Sequence, residues 1–119
     1  MQYVMLIHEA AEDSAQRNDP AKGPAYWGGW MAYAQAIQEA GIMVGGNGLD
    51  LPGTSTTLRL RDGQRVVQDG PYADSKEQLG GYFVLDVPSV EVALDWAARC
   101  PAAARGTIEL RPVLPAPNG

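Results

Sequence analysis

The run Gln2-Tyr-Val-Met-Leu-Ile-His8 is apolar on both of its alternate faces. In a β-strand Tyr3, Met5 and Ile7 point one way, and Val4, Leu6 and His8 point the other. A strand of this kind needs cover on both sides and belongs in the middle of a sheet. The rest of the chain must therefore supply something to lie over each face. The chain has 119 residues, close to the commonest domain size, so one domain is expected, over residues 1–113. Residues 114–119, Leu-Pro-Ala-Pro-Asn-Gly, read as a polyproline-like tail.

Cover for one face is visible in the pattern. Pro24 suits the first turn of a helix, where its missing N–H costs nothing. Tyr26, Trp30, Tyr33 and Ile37 then recur at helical spacing, with Trp27, Met31 and Ala34 as a second stripe, and Gly41 is a stop signal. Gly28 and Gly29 each cost about 1 kcal/mol against alanine in such a helix. They point either to close approach by another backbone or a ligand, or to a helix that starts near Trp30. A second helix opens at Pro88-Ser89, with Ser89 as N-cap and Glu91 in the first turn. Its apolar stripe reads Val90, Leu94 and Ala97, with Ala93, Trp96 and Cys100 beside it; Pro101 ends it.

The remaining strands are shorter signals. Residues 42–44 begin a strand that dissolves into Gly45-Gly46-Asn47-Gly48. Residues 56–61 alternate, Asp62-Gly63 is a hairpin turn, and residues 65–68 return. Residues 80–87 and 107–113 alternate as well, with Phe83, Leu85, Val87, Ile108 and Leu110 facing inward. Residues 9–22 are polar and aperiodic and read as a loop with at most one short helical turn. The order is thus β-α-β-β-β-β-α-β. Without the hairpin it becomes two β-α-β units, the split βαβ or ferredoxin-like plan. The fold expected is α+β, with two helices on one face of an antiparallel sheet. No further helix exists for the other face, so a second copy of the chain is expected there, making a homodimer.

Composition removes several function classes. The formal net charge is -5, with no basic stripe to offset it, so a nucleic-acid partner is not expected. No apolar run is long enough to span a membrane, and the first strand-like run is too short for a signal peptide and has no basic segment before it. A cytoplasmic location is expected. One histidine and one cysteine cannot make a typical metal site, and no cofactor or internal disulfide is expected. Cys100 reads as a buried structural thiol.

The run Asp69-Gly-Pro-Tyr-Ala-Asp-Ser-Lys-Glu-Gln-Leu-Gly-Gly-Tyr-Phe83 resembles the signature of the YCII-related proteins of the DGPF-motif branch. Tyr3-Val-Met-Leu-Ile, Arg61-Asp-Gly, Ala97-Ala-Arg-Cys-Pro101 and Glu109-Leu-Arg-Pro-Val113 resemble it too, in the same order. The resemblance implies a dimeric α+β barrel, ferredoxin-like in each subunit. It implies little about activity: some such proteins resemble small-molecule enzymes, and DGPF-type proteins often accompany extracytoplasmic-function sigma factors. Two departures stand out. Tyr72 replaces the phenylalanine that names the motif. The helix-start histidine of the narrower YCII branch, its suspected catalytic group, has no counterpart in Gly23-Pro-Ala-Tyr-Trp27.

Candidate site residues gather around that motif. Asp69 is either an acceptor or general base, or the residue that holds an Asp-Gly-Pro turn. His8 is the second candidate catalytic group, set against the ordinary reading of a half-exposed strand residue. Lys76, Glu77, Tyr72 and Arg111 are candidate ligand contacts, although surface charges are most often simply solvated. Gly80-Gly81 removes side chains where a strand starts, so another backbone or a ligand can come close. Two functions stay open. One is an enzyme or binder of a small anionic or aromatic molecule, in a cleft between the first helix, the sheet and the Asp69 loop. The other is a non-catalytic interaction protein accessory to transcriptional regulation.

Overall fold

Tyr3, Met5 and Ile7 are between 0 and 4% exposed, and the sheet around them explains why. A computed structural model of the protein describes residues 1–116; the last three residues of the expected tail lie outside the described residues. Its strands are β1 (Gln2–Ala10), β2 (Met43–Gly48), β3 (Thr56–Arg61), β4 (Gln64–Asp69), β5 (Glu77–Asp86) and β6 (Thr107–Pro112). Four of them form one antiparallel sheet in the order β2-β5-β1-β6, and β3 and β4 form a separate hairpin. This is the α+β, ferredoxin-like arrangement expected from the element order, with β1 central. Among the described residues no helix is long and apolar enough to cross a membrane.

The helices are α1 (Ala11–Ser14), α2 (Gly23–Glu39) and α3 (Val90–Ala98). From α2, Tyr33 and Ile37 enter the core beside Met5, Leu85 and Val87, as the helical stripe predicts. The Tyr33 hydroxyl donates to the Trp96 carbonyl in α3 at 2.7 Å, which joins the two helices at a buried polar atom. Ser89 caps α3 by accepting from the Val92 N–H. The other sheet face carries Val4, Leu6 and His8 of β1, opposite Val84, Tyr82 and Leu79 of β5. None of the described helices covers it, and the first three are only half-buried.

Four expectations need correction. Ala93, Ala97 and Cys100, not Val90 and Leu94, face the core from the α3 region; Val90 and Leu94 are 41% and 54% exposed. Adjacent stripes on a helix overlap, and the small residues win here because they let the helix lie close to the sheet. Residues 9–22 are more ordered than a loop with one helical turn. β1 runs on through Glu9 and Ala10, and α1 is followed by a 3-10 turn over Ala15–Asn18. β2 persists through its glycines, because β5 holds it by backbone pairing that needs no side chains. Gly28 meets nothing: a Cβ there would have open space to 4 Å, and α2 simply starts at Gly23.

The hairpin stands away from this core. All of β4 is exposed, and the radius of gyration is 16.2 Å, against about 13.5 Å for a compact chain of this length. Leu58, Leu60 and Val67 are more than half exposed on it.

Two glycines of opposite character test this packing. A Cβ on Gly106 would collide with the His8 carbonyl oxygen, which is backbone and cannot step aside. Gly106→Ala should therefore cost about 3 kcal/mol or more. Gly28→Ala should instead stabilise by about 0.5–1 kcal/mol through helix propensity alone. Urea unfolding of the two variants measures both.

Candidate functional site

The cavity in this molecule comes from an imbalance between a helix rich in rings and a sheet edge without side chains. From α2, Trp30 and Tyr33 face Phe83 of β5, with ring centroids 6.5 and 5.8 Å from it. Opposite them the sheet runs through Gly46, Gly48, Gly80 and Gly81. Three of these glycines are required, whereas a Cβ on Gly48 would meet nothing within 4 Å. A Cβ on Gly46 would stand 2.7 Å from the Phe83 ring, and one on Gly81 would stand 3.1 Å from the Asn47 carbonyl oxygen. Between helix and sheet a cavity of about 310 Å³ remains, walled mainly by Trp27, Trp30, Met31, Met43 and Phe83. Its surface is apolar nearly throughout, as in most small-molecule pockets.

The polar end of the cavity is a cluster of Glu9, Arg17 and Tyr26, with the carboxylate and guanidinium buried and the phenol half-buried. Glu9 continues the inward face of Tyr3, Met5 and Ile7 and is 6% exposed. The Tyr26 hydroxyl donates to Glu9 Oε1 at 2.8 Å, and Arg17 Nη2 lies 3.9 Å from the same oxygen. Arg17 also donates to the Tyr26 hydroxyl, to the Gly80 carbonyl at 3.0 Å and to the Leu49 carbonyl. Its guanidinium carbon lies 5.6 Å from the Trp27 ring centroid, within cation–π range. Gly80 is glycine for this reason: a Cβ there would be 3.0 Å from Arg17 Nη2 and 3.3 Å from Glu9 Oε1. Burial raises the Tyr26 phenol above its ordinary value, Arg17 pulls it back, and Glu9 pushes it up again. The hydroxyl is therefore a neutral donor at physiological pH.

A second cavity, of about 280 Å³, lies on the other flank of α2 and shares Glu9, Tyr26 and Trp30 with the first. It is the more polar of the two. Asp13 and Arg105 line it, joined by an Nε–Oδ1 contact of 2.7 Å. Cys100 lines neither cavity. It is buried in the core, and burial pushes its thiol up to about 11, partly offset by a backbone hydrogen bond from Ala102. That is an inert thiol rather than a nucleophile.

The candidates read from the sequence fall into two other places. Asp69 ends β4 opposite Thr56, and Tyr72 is 77% exposed with the Arg59 guanidinium 5.4 Å from its ring centroid. The turn between them is closed by the Gly70 N–H on the Ser55 carbonyl and by the Thr57 hydroxyl on the Gly70 carbonyl. Lys76 lies exposed further along the same connection. His8, Glu77 and Arg111 lie on the uncovered sheet face, by register opposite Thr107, Ala10 and Val4, with Arg111 at the far end from the other two. There Glu77 Oε1 accepts from the Thr107 hydroxyl at 2.6 Å, and Arg111 pairs with Glu109. None of the six lines either large cavity. The helix and the sheet do bound a cleft, but residues 9–17 close its polar end where the Asp69 loop was expected. Glu9, Arg17 and Tyr26 were missed. One signal was present: Glu9 is a charge at the next inward-facing position of a strand whose inward face is otherwise apolar.

The sequence model of the YCII-related domain matches residues 1–117. An uncharacterised protein of Rhizobium meliloti (strain 1021) is 41% identical over 61 residues, which are 50% of this chain and 49% of that protein. The chain spans about half the length of this curated relative.

The buried cluster gives a direct stability test. Arg17→Met keeps the apolar stem but strips the hydrogen bonds from the Gly80 and Leu49 carbonyls and leaves Glu9 without its cation. Breaking a buried pair in this way costs about 3–5 kcal/mol. Chemical denaturation of Arg17→Met should show a loss of this size with the slope of the transition unchanged.

Proposed function

The chain belongs to the YCII-related domain family, and we propose that it binds a small, uncharged, aromatic or fused-ring molecule in the cavity between α2 and the sheet. The observation that carries this reading is the 310 Å³ apolar cavity with a buried polar cluster at one end. A planar ring is matched by the Trp30–Phe83 wall, whose planes lie 29° apart. The electrostatics favour a neutral ligand over an anion. The charge of Arg17 is answered by Glu9, and three of its five N–H groups are engaged by Tyr26, Leu49 and Gly80. A carboxylate or phosphate entering the cavity meets no free cation and faces Glu9 as a like charge. Residues 69–83 support, within the family, a reading as a DGPF-branch member.

The same proposal includes a second copy of the chain. Val4, Leu6 and Val84 form an apolar strip on a sheet face that no helix covers. A homodimer joined through this face would give β1 the cover on its second side that its sequence demands. Light scattering at micromolar concentration should return twice the 12.7 kDa of one chain. Leu6→Glu, which places a charge in that strip, should return a monomer with its helical content intact. A monomeric parent protein refutes this part of the proposal.

Ligand binding is tested by thermal shift and by the fluorescence of Trp27 and Trp30, against neutral two-ring compounds and the same rings carrying a carboxylate. The neutral compounds should raise the melting temperature, since a ligand that binds only the folded state stabilises it. Their charged counterparts should not. Met31 is 71% exposed at the cavity wall, so Met31→Asp should leave folding intact and weaken binding about ten-fold by setting a charge beside the ring. Asp69→Asn should leave binding unchanged. If Asp69→Asn weakens binding as much as Met31→Asp does, the ligand sits at the hairpin and not in this cavity.

A further inference from the structure

Glu9 has more chemistry than a structural ion pair needs. Its hydrogen bond from Tyr26 and its pairing with Arg17 both fall on Oε1. Among the described residues no buried side-chain oxygen or nitrogen is sealed away without a partner. Oε2, which has neither of those contacts, is therefore not sealed away, and Glu9 borders the cavities on either side of α2 as well as a much smaller one beside Ser14 and Leu51. The carboxylate is thus anchored by one oxygen and free at the other, on a residue that is 6% exposed, at the end of an apolar cavity.

We propose that Glu9 is the general base of a proton-transfer reaction, and that the natural ligand is a neutral conjugated ring ketone, or its enol, isomerised in this cavity. The inference rests on the binding function proposed above. Oε2 takes the proton from a carbon next to the carbonyl. The C–H electron pair becomes a carbon–carbon double bond, and the carbonyl π pair moves onto oxygen. The same carboxylic acid returns the proton to another carbon of the conjugated system, which moves the double bond and restores the carboxylate. Nothing is oxidised or reduced, and no co-reactant is consumed. Each surrounding residue has a part. Arg17 and the Tyr26 hydroxyl hold the carboxyl group in place through Oε1. Trp30 and Phe83 hold the ring plane and exclude water. The more polar cavity, which Glu9 also borders, gives the carboxyl group a route for exchange with solvent protons. Glu9 is in this account a catalytic residue, whereas Arg17 and Tyr26 are positioning residues.

Deuterium exchange tests this without the natural ligand. The probes are 2-tetralone, 2-indanone and phenylacetone, incubated with the intact protein in D2O and followed by NMR at the carbons beside the carbonyl. Binding is read in the same samples from tryptophan fluorescence. The protein should accelerate exchange of at least one bound ketone ten-fold or more over buffer. That rate should saturate at the ketone concentration that half-quenches the fluorescence. Glu9→Gln keeps the shape and an acceptor for Tyr26; it should bind the ketone within about three-fold of the parent and lose about 100-fold in exchange rate, the range of general base catalysis. Asp69→Asn should exchange at the parental rate. A ketone that binds without accelerated exchange overturns the catalytic role and leaves the binding function standing. Failure of all three ketones to bind overturns both. If Glu9→Gln does not fold, the decision falls to the parent protein: exchange that does not saturate with binding refutes the proposal.

Discussion

A guanidinium removed from water must find its hydrogen-bond partners in the protein, and it cannot lose its charge to avoid the cost. Arg17 meets that demand by drawing four segments to one point. Its partners are the Leu49 carbonyl after β2, the Gly80 carbonyl in β5, the Tyr26 hydroxyl in α2 and the Glu9 carboxylate in β1. Much of the neighbourhood follows from this. The helical turns of residues 11–18 are held against the sheet edge because Arg17 has to reach it. β5 needs glycine at 80 because the guanidinium lies where a side chain would be. The start of α2 is tied down as well, through Trp27 Nε1 on the Arg17 carbonyl.

With that corner fixed, the molecule divides its work between two regions of one sheet. Under α3 the packing is made of small residues, with Ala93 and Ala97 buried against the sheet. Toward β2 the helix is crowded with rings and the strands are stripped to glycine, so the two surfaces do not close. The cavity is therefore a consequence of the sequence, not a packing defect. A helix with alanines where Trp27, Trp30 and Met31 stand would have nothing to wall it with. A sheet with valines at 46 and 81 could not pass under Phe83 or beside Asn47.

The fold was legible because its evidence is periodic. The two-faced apolar run of β1, the stripe of Tyr26, Trp30, Tyr33 and Ile37, and the Asp62-Gly63 turn each state their structure locally. What stayed hidden depends on distant partners. The second half of β2 is Gly45-Gly46-Asn47-Gly48, and its strand character comes from pairing with β5. The choice between two overlapping stripes on α3 is made by how near the helix can approach the sheet, which no helical wheel contains. The site was less legible still. Gly80-Gly81 announced a close approach, but its occupant is Arg17, 63 residues earlier. The Asp69 motif drew attention through its conspicuous turn chemistry, while Glu9 and Arg17 lay in an aperiodic stretch that reads as solvent-facing.

The placement of β1 has a further consequence, for the order of events during synthesis. Its two neighbours in the sheet are β5 and β6, so Tyr3 lies opposite Leu85 on one side and Pro112 on the other. Helices and the β3–β4 hairpin can form from local residues within microseconds. β1 cannot pair until β5 has been made, and its second edge waits for β6. The most apolar of these strands is thus translated before its two partners and is among the last to be satisfied. Long-range pairing of this kind slows folding and leaves strand edges open to other chains in the meantime. Glu9, at the end of that strand, is then the one charge on its core-facing side that opposes association before folding is complete.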